Sequence, residues 1–143
     1  MRAGQGYRGY ISSRTFGGER APQHIQNLVV RSYCNEIGIP FQLSATEVAM
    51  PGTYIMLDQM LEEIDTVAGL VFYSIQQLPE DETHRARITS VVLGAGREIH
   101  FAVERLLLKT PSDELRINDL LGVSAILPYT LKVDECQWKF EDA

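Results

Sequence analysis

The stretch GLVFYS, Gly69–Ser74, limits the folds open to this chain more than any other segment. A short continuous apolar run of this kind fits a strand covered on both faces, as in a parallel sheet. Segments of strand and helix character alternate around it. Gly9–Ser12 and Phe41–Ser44 read as the first two strands, GLVFYS as the third and Glu98–Glu104 as the fourth. Between them, Pro22–Glu36, Thr53–Ile64 and Pro79–Leu93 read as helices. Pro22 suits a first helical turn, and Gly38 followed by Pro40 stops that helix. Its buried stripe is expected at Ile25, Leu28, Val29, Ser32 and Tyr33, and that of the second helix at Tyr54, Leu57, Met60, Leu61 and Ile64.

Strands that alternate with helices of this length imply parallel pairing through right-handed crossovers. The expected fold class is therefore α/β, an open and mainly parallel sheet with helices on both faces. Residues 1–108 are expected to form this domain and 109–143 a C-terminal extension. In the extension, TPSDELRINDLLG reads as a short helix capped by Ser112 or Thr110 and stopped by Gly122. The closing ILPYTLKVDECQWKFEDA reads as an edge strand and a tail that packs on the domain or on a partner subunit.

With 143 residues and 45% hydrophobic content, the chain has enough apolar material for one domain core. A formal net charge of −6 argues against a broad basic face for nucleic acid, since such binding rests on neutralising phosphates. A small anion held by a few arginines stays compatible with it. Cys34 and Cys136 are too few for a disulfide framework or a zinc site, and the three histidines make no metal spacing. No metal and no cofactor are expected. Without an apolar run of ~20 residues or a signal-peptide core in MRAGQGYRGY, a cytoplasmic protein that does not enter a membrane is expected.

In open α/β sheets, ligands gather at the carboxyl ends of the strands near the topological switch point. Applied to this sequence, that rule selects Ser12, Ser13, Arg14, Arg20 and Gln23 after the first strand and Ser44 and Glu47 after the second. It selects Tyr73, Ser74, Gln76 and Gln77 after the third strand and Glu104 after the fourth. Glu47 and Glu104 are the candidate acid and base, with Ser13 or Ser12 orienting or attacking. Arg14 and Arg20 suit an anionic group beside a helix start. Gln23, Ser74, Gln76 and Gln77 would bind hydroxyls, with Ser12, Ser44 and Tyr73 as further ligand-binding residues. Each has an ordinary structural alternative: serines satisfy turns, arginines and glutamates solvate surfaces, and Gln26 is a solvated helix position.

Two resemblances follow from these motifs. RGYISSRT and LVFYSIQQLPED are similar to the catalytic domain of serine recombinases, the resolvases and invertases. In that family a Tyr-x-Arg-x-Ser motif ends the first strand with the nucleophilic serine, and a later Asp-Arg-x-x-Arg holds the scissile phosphate. Here Tyr10 aligns, Ser12 replaces the arginine, Arg14 stands where the nucleophile belongs, and Ser13 lies one position out of register. Gln76, Gln77 and Glu80 replace the phosphate-holding residues. This resemblance implies a resolvase-like or flavodoxin-like three-layer fold without recombinase chemistry.

The second resemblance covers residues 8–106. RGYISSRTFGGERAPQHIQN, LSATEVAMPGTYIMLDQ, YSIQQLPEDE and GREIHFAVE look like the sporadic carbohydrate cluster family. It implies an enzyme of carbohydrate biosynthesis acting on a sugar, sugar phosphate or sugar nucleotide by metal-independent chemistry, as an epimerase, isomerase or dehydratase or by glycosidic cleavage. The alternative it implies is a non-catalytic sugar-binding or partner-enzyme subunit. The expected partners are a carbohydrate ligand and a homodimer mate or partner enzyme, with no nucleic acid.

Overall fold

The structure is a computed structural model that describes residues 6–13, 21–48 and 53–122. Arg14 and Arg20, Cys136 and the expected tail strand lie outside the described residues.

Five strands form one sheet. They are β1 (Tyr7–Ser12), β2 (Phe41–Glu47), β3 (Gly69–Phe72), β4 (Ile99–Phe101) and β5 (Leu106–Leu108), in the spatial order β2-β1-β3-β4-β5. The first four run parallel, and β5 returns antiparallel beside β4. Helix α1 (Gln23–Ile37) joins β1 to β2, α2 (Ile55–Glu62) joins β2 to β3, and α3 (Glu82–Gly94) joins β3 to β4. A further helix, α4, runs from 111 to the last described residue, 122. The result is an α/β fold with a mostly parallel sheet and flanking helices.

The chain steps from β1 to one side of the sheet and then crosses to the other, so α1 covers one face and α2 and α3 the opposite one. Each face has its own apolar cluster. Leu57, Met60 and Leu61 of α2 and Ile88 and Val92 of α3 meet Tyr10, Leu70, Phe72, Ile99 and Phe101. Rings run across the sheet centre on that side, with Tyr10 and Phe72 centroids 4.7 Å apart and Phe72 and Phe101 5.5 Å apart. Ile117 of α4 is 3% exposed and belongs to the same cluster. On the other face Val30, Tyr33 and Cys34 of α1 pack on Tyr7, Ile11 and Val71. The α1 contact is close. A Cβ on Gly9 would sit 2.4 Å from Ser44 Oγ and 3.2 Å from Val30 Cγ1, so only glycine fits there.

The buried face of α1 differs from the apolar stripe expected of it. Leu28 is 63% exposed and Ile25 39%, whereas Gln26, Val30, Tyr33 and Cys34 are buried. A fully satisfied glutamine occupies the inner face, and this rotates the helix away from its most apolar stripe. Gly38 ends α1 at φ 79°, a left-handed conformation that glycine adopts without strain. The fourth strand is shorter than expected because a turn over residues 102–105 reverses the chain into β5. Thr110 rather than Ser112 caps α4: its Oγ1 accepts from Asp113 N at 3.3 Å. The Asp113 carboxylate in turn accepts from the Lys109 and Thr110 amides, each at 3.0 Å. Those donors hold its pKa below the usual carboxylate range, the Lys109 amide contributing most among them.

Candidate functional site

The carboxyl ends of β1, β3 and β4 share one continuous chain of hydrogen bonds, and Gln26 is its centre. This side chain is 0% exposed although it sits in the first turn of α1. Its Oε1 accepts from Ser12 N at 3.0 Å, and its Nε2 donates to Ser12 O at 2.7 Å and to Ala21 O at 2.8 Å. The glutamine therefore grips both backbone polar groups of the last β1 residue, as a neighbouring strand would. Gln77 Nε2 donates to the same Oε1 at 2.9 Å. Both donor hydrogens and both acceptor sites of the Gln26 amide are thereby used.

From Gln77 the chain continues along the sheet edge. Its Oε1 accepts from Tyr73 N at 2.9 Å and Ser74 N at 3.3 Å, which closes the turn after β3. Ser74 Oγ accepts from Gln76 N at 3.1 Å and donates to Glu104 Oε2 at 2.6 Å. The other Glu104 oxygen takes Ile75 N at 3.0 Å. The strand-end rule thus gathers Ser12, Tyr73, Ser74, Gln76, Gln77 and Glu104 into one place. What holds them there is mutual hydrogen bonding, with Ser12, Ser74 and Gln77 each under 4% exposed.

Glu47 stands apart from this chain. It ends β2, is 2% exposed, and accepts from Met56 N at 3.0 Å, Leu57 N at 3.1 Å and the Tyr10 hydroxyl at 3.1 Å. A carboxylate at the N-terminus of α2 satisfies amides that the helix leaves unpaired and complements its dipole. Strand β1 lies between Glu47 and the Glu104 turn, and each carboxylate is spent on its own backbone donors. Gln23 and Ser44 also lie outside the chain: Gln23 is exposed on α1, and Ser44 Oγ donates to Asn27 Oδ1 at 2.6 Å.

Ser13 is placed differently from its neighbours. It follows directly on β1, is half-buried, and is aligned with the end of β2 through Ser13 N to Glu47 O at 3.1 Å. Its Oγ lies 3.4 Å from the same carbonyl, a long hydrogen bond.

Two solved structures share this architecture over most of their length. One is the N-terminal catalytic domain of TP901-1 integrase, at 12% identity and TM-score 0.57, covering 83% of this chain and 95% of that one. The other is a resolvase family site-specific recombinase from Streptococcus pneumoniae, at 11% identity and TM-score 0.53, covering 95% and 97%. This is a resolvase-like fold. No family model and no curated protein matches the chain.

The resolvase-like neighbours overturn two expectations. A carbohydrate enzyme or sugar-binding subunit was expected from motif resemblance, and the structures that share the fold are recombinase and integrase catalytic domains. The exclusion of nucleic acid as a partner falls on the same finding. It rested on net charge, which averages over the whole surface and does not describe any one site.

A second polar cluster lies under α1. His100 bonds the Tyr33 hydroxyl through Nδ1 at 2.7 Å and the Glu98 carboxylate through Nε2, and Tyr7 donates to Glu98 at 3.1 Å. Burial and then the Glu98 charge push Tyr7 up to about 12, and burial alone pushes the Cys34 thiol up to about 11. Sequence reasoning passed over Gln26 because it counted as one more polar helix position. The available signal was its place three residues after Gln23 and four before Val30, on the face that the Val30–Tyr33–Cys34 pattern turns inward. Among the described residues, no group of three or more His, Cys, Asp or Glu is arranged to hold a metal ion, and no helix is long and apolar enough to cross a membrane.

Proposed function

We propose that the chain acts on a phosphate ester of DNA at the carboxyl end of β1, with Ser13 as the attacking group. The observation that carries this reading is the contrast at the strand ends. Ser12, Gln26, Ser74 and Gln77 are closed into a buried network, while Ser13 is half-buried at the rim beside the switch point. Support also comes from the two solved neighbours, both catalytic domains or members of site-specific recombination systems by their descriptions.

The chemistry needs no oxidant and no cofactor. Ser13 Oγ forms a bond to phosphorus as the phosphorus–sugar oxygen bond breaks. The hydroxyl proton passes to solvent, and the sugar oxygen leaves as a hydroxyl. The phosphoserine diester keeps the bond energy, so a returning sugar hydroxyl can rejoin the strand. The residues that hold the phosphate in recombinases are replaced here by Gln76, Gln77 and Glu80, so the proposed counter-charges are Arg14 and Arg20.

The test is a duplex labelled at both the 5′ and 3′ ends of each strand, incubated with protein at low salt and resolved on a denaturing gel. A covalent protein–DNA band that is lost with Ser13→Ala and kept with Ser12→Ala supports the reading. Absence of the band from the wild type, or its survival in Ser13→Ala, refutes it.

A further inference from the structure

The outer side of α1 and the edge strand β2 enclose a groove of about 640 Å³ that none of the foregoing chemistry uses. From α1 it is lined by Gln23, His24, Asn27 and Arg31, and from β2 by Ser44 and Thr46 among others. Its volume lies in the ~300–1,000 Å³ range of ligand sites. Gln23, His24, Arg31 and Thr46 are exposed, so the groove opens to solvent along the helix.

We infer that this groove holds a DNA strand running to the phosphate at Ser13. The inference deepens the proposed function and rests on it. Three observations carry it.

The first is charge. The chain has 19 acidic residues against 13 basic ones, yet among the described residues no carboxylate lines the groove and a guanidinium does. Arg31 sits over the Phe41 ring, 5.9 Å from its centroid, which steadies a flat donor fork suited to phosphate oxygens.

The second is chemistry. The remaining polar lining consists of amides, hydroxyls and an imidazole, the groups that contact phosphate and sugar in protein–DNA interfaces. The helical rise separates His24 from Arg31 by about 10 Å. That reach is long enough for the groove to meet more than one phosphate of a strand.

The third is continuity. Ile11 and Thr46 both line the groove and are register partners, one step before the Ser12–Glu47 pair. A strand lying in the groove therefore runs out beside Ser13, whose amide is held on Glu47 O.

The experiment is fluorescence anisotropy at low salt with a fluorescein-labelled twelve-nucleotide oligo-dT and its duplex form. Arg31→Glu and Thr46→Glu, both at exposed positions, each place a carboxylate in the groove. Either should weaken binding at least tenfold, and Arg31→Glu should also lower the slope of log affinity against log salt by about one. Arg116→Glu makes the same charge change on exposed α4 and should leave affinity within twofold. Equal losses from Arg31→Glu and Arg116→Glu, or no binding by the wild type, overturn the groove. The covalent assay separates this inference from the reading beneath it. An adduct that forms at the wild-type rate in Arg31→Glu removes the groove and leaves Ser13 standing. Groove-dependent binding with no adduct from any variant removes Ser13 and leaves the groove.

Discussion

Helix α1 has two polar faces that the sequence makes look alike and the structure makes opposite. The inner face carries Gln26, whose amide has all four bonding positions filled by Ser12, Ala21 and Gln77. The outer face carries Gln23, His24, Asn27 and Arg31 along an open groove. Gln23 and Gln26 are the same residue type three positions apart, and only the inner one replaces a strand partner. Polarity at a strand end is thus ambiguous until its partners are known. Inside, it substitutes for missing backbone bonds; outside, it faces an open groove.

The largest test of that contrast is Gln26→Ala. It strands the Ser12 backbone groups and the Gln77 amide in a buried site at about 1–3 kcal/mol for each unpaired group, so a loss of about 3 kcal/mol or more is expected in urea denaturation. Gln23→Ala in the same experiment should change stability by no more than ~0.5 kcal/mol. Equal effects would erase the distinction between the faces.

The inner face also sets an alkaline limit. Cys34 is fully buried, and its pKa is raised from 9.0 to about 11 by burial. The folded state holds this proton more tightly than the unfolded one. Its contribution is therefore complete below pH 9 and is lost as pH climbs through 11. At ~1.36 kcal/mol per unit, the loss is on the order of 3 kcal/mol. Tyr7, raised to about 12, steepens the decline above pH 10 in the same direction. Melting curves between pH 8 and 10 should fall for the wild type and stay nearly flat for Cys34→Ala.

Asn27 lies between the two regimes, half-buried with one bond from Ser44. Asn27→Ala should cost about 1 kcal/mol, the usual net value of one such bond. Arg31→Gln, at the open end of the scale, should leave the melting temperature within about 2 °C, as exposed substitutions of ~0.5 kcal/mol or less do in domains of this size. A large loss from Arg31→Gln would assign the outer face to structure.

The parallel sheet was legible because GLVFYS admits few other environments, and β3 does lie buried in the middle of it. Strand β5 was hidden because Glu104 and Arg105 read as the charged end of a strand, whereas they belong to a turn with Arg105 at φ 56°. The strand-end rule found Ser74, Gln77 and Glu104 together but not what they do. Their role depends on Gln26 arriving from another element and on the exact rotation of α1, neither of which apolar periodicity encodes. Glu47 was legible as a strand-end carboxylate; that it would serve the first turn of α2 depends on how that helix docks.

The central place of β1 has a consequence during synthesis. Both strands that flank it are made later, and the Gln26–Gln77 bond joins residues 51 apart. At ~5–20 residues per second a ribosome needs roughly 3–10 s to cover that interval. For that time the strand leading to Ser13 has α1 and, once made, β2 beside it, but neither β3 nor Gln77. A stalled nascent chain that exposes Gln26 but not Gln77 should accordingly be cut by protease near Ser12, and become resistant once Gln77 has emerged.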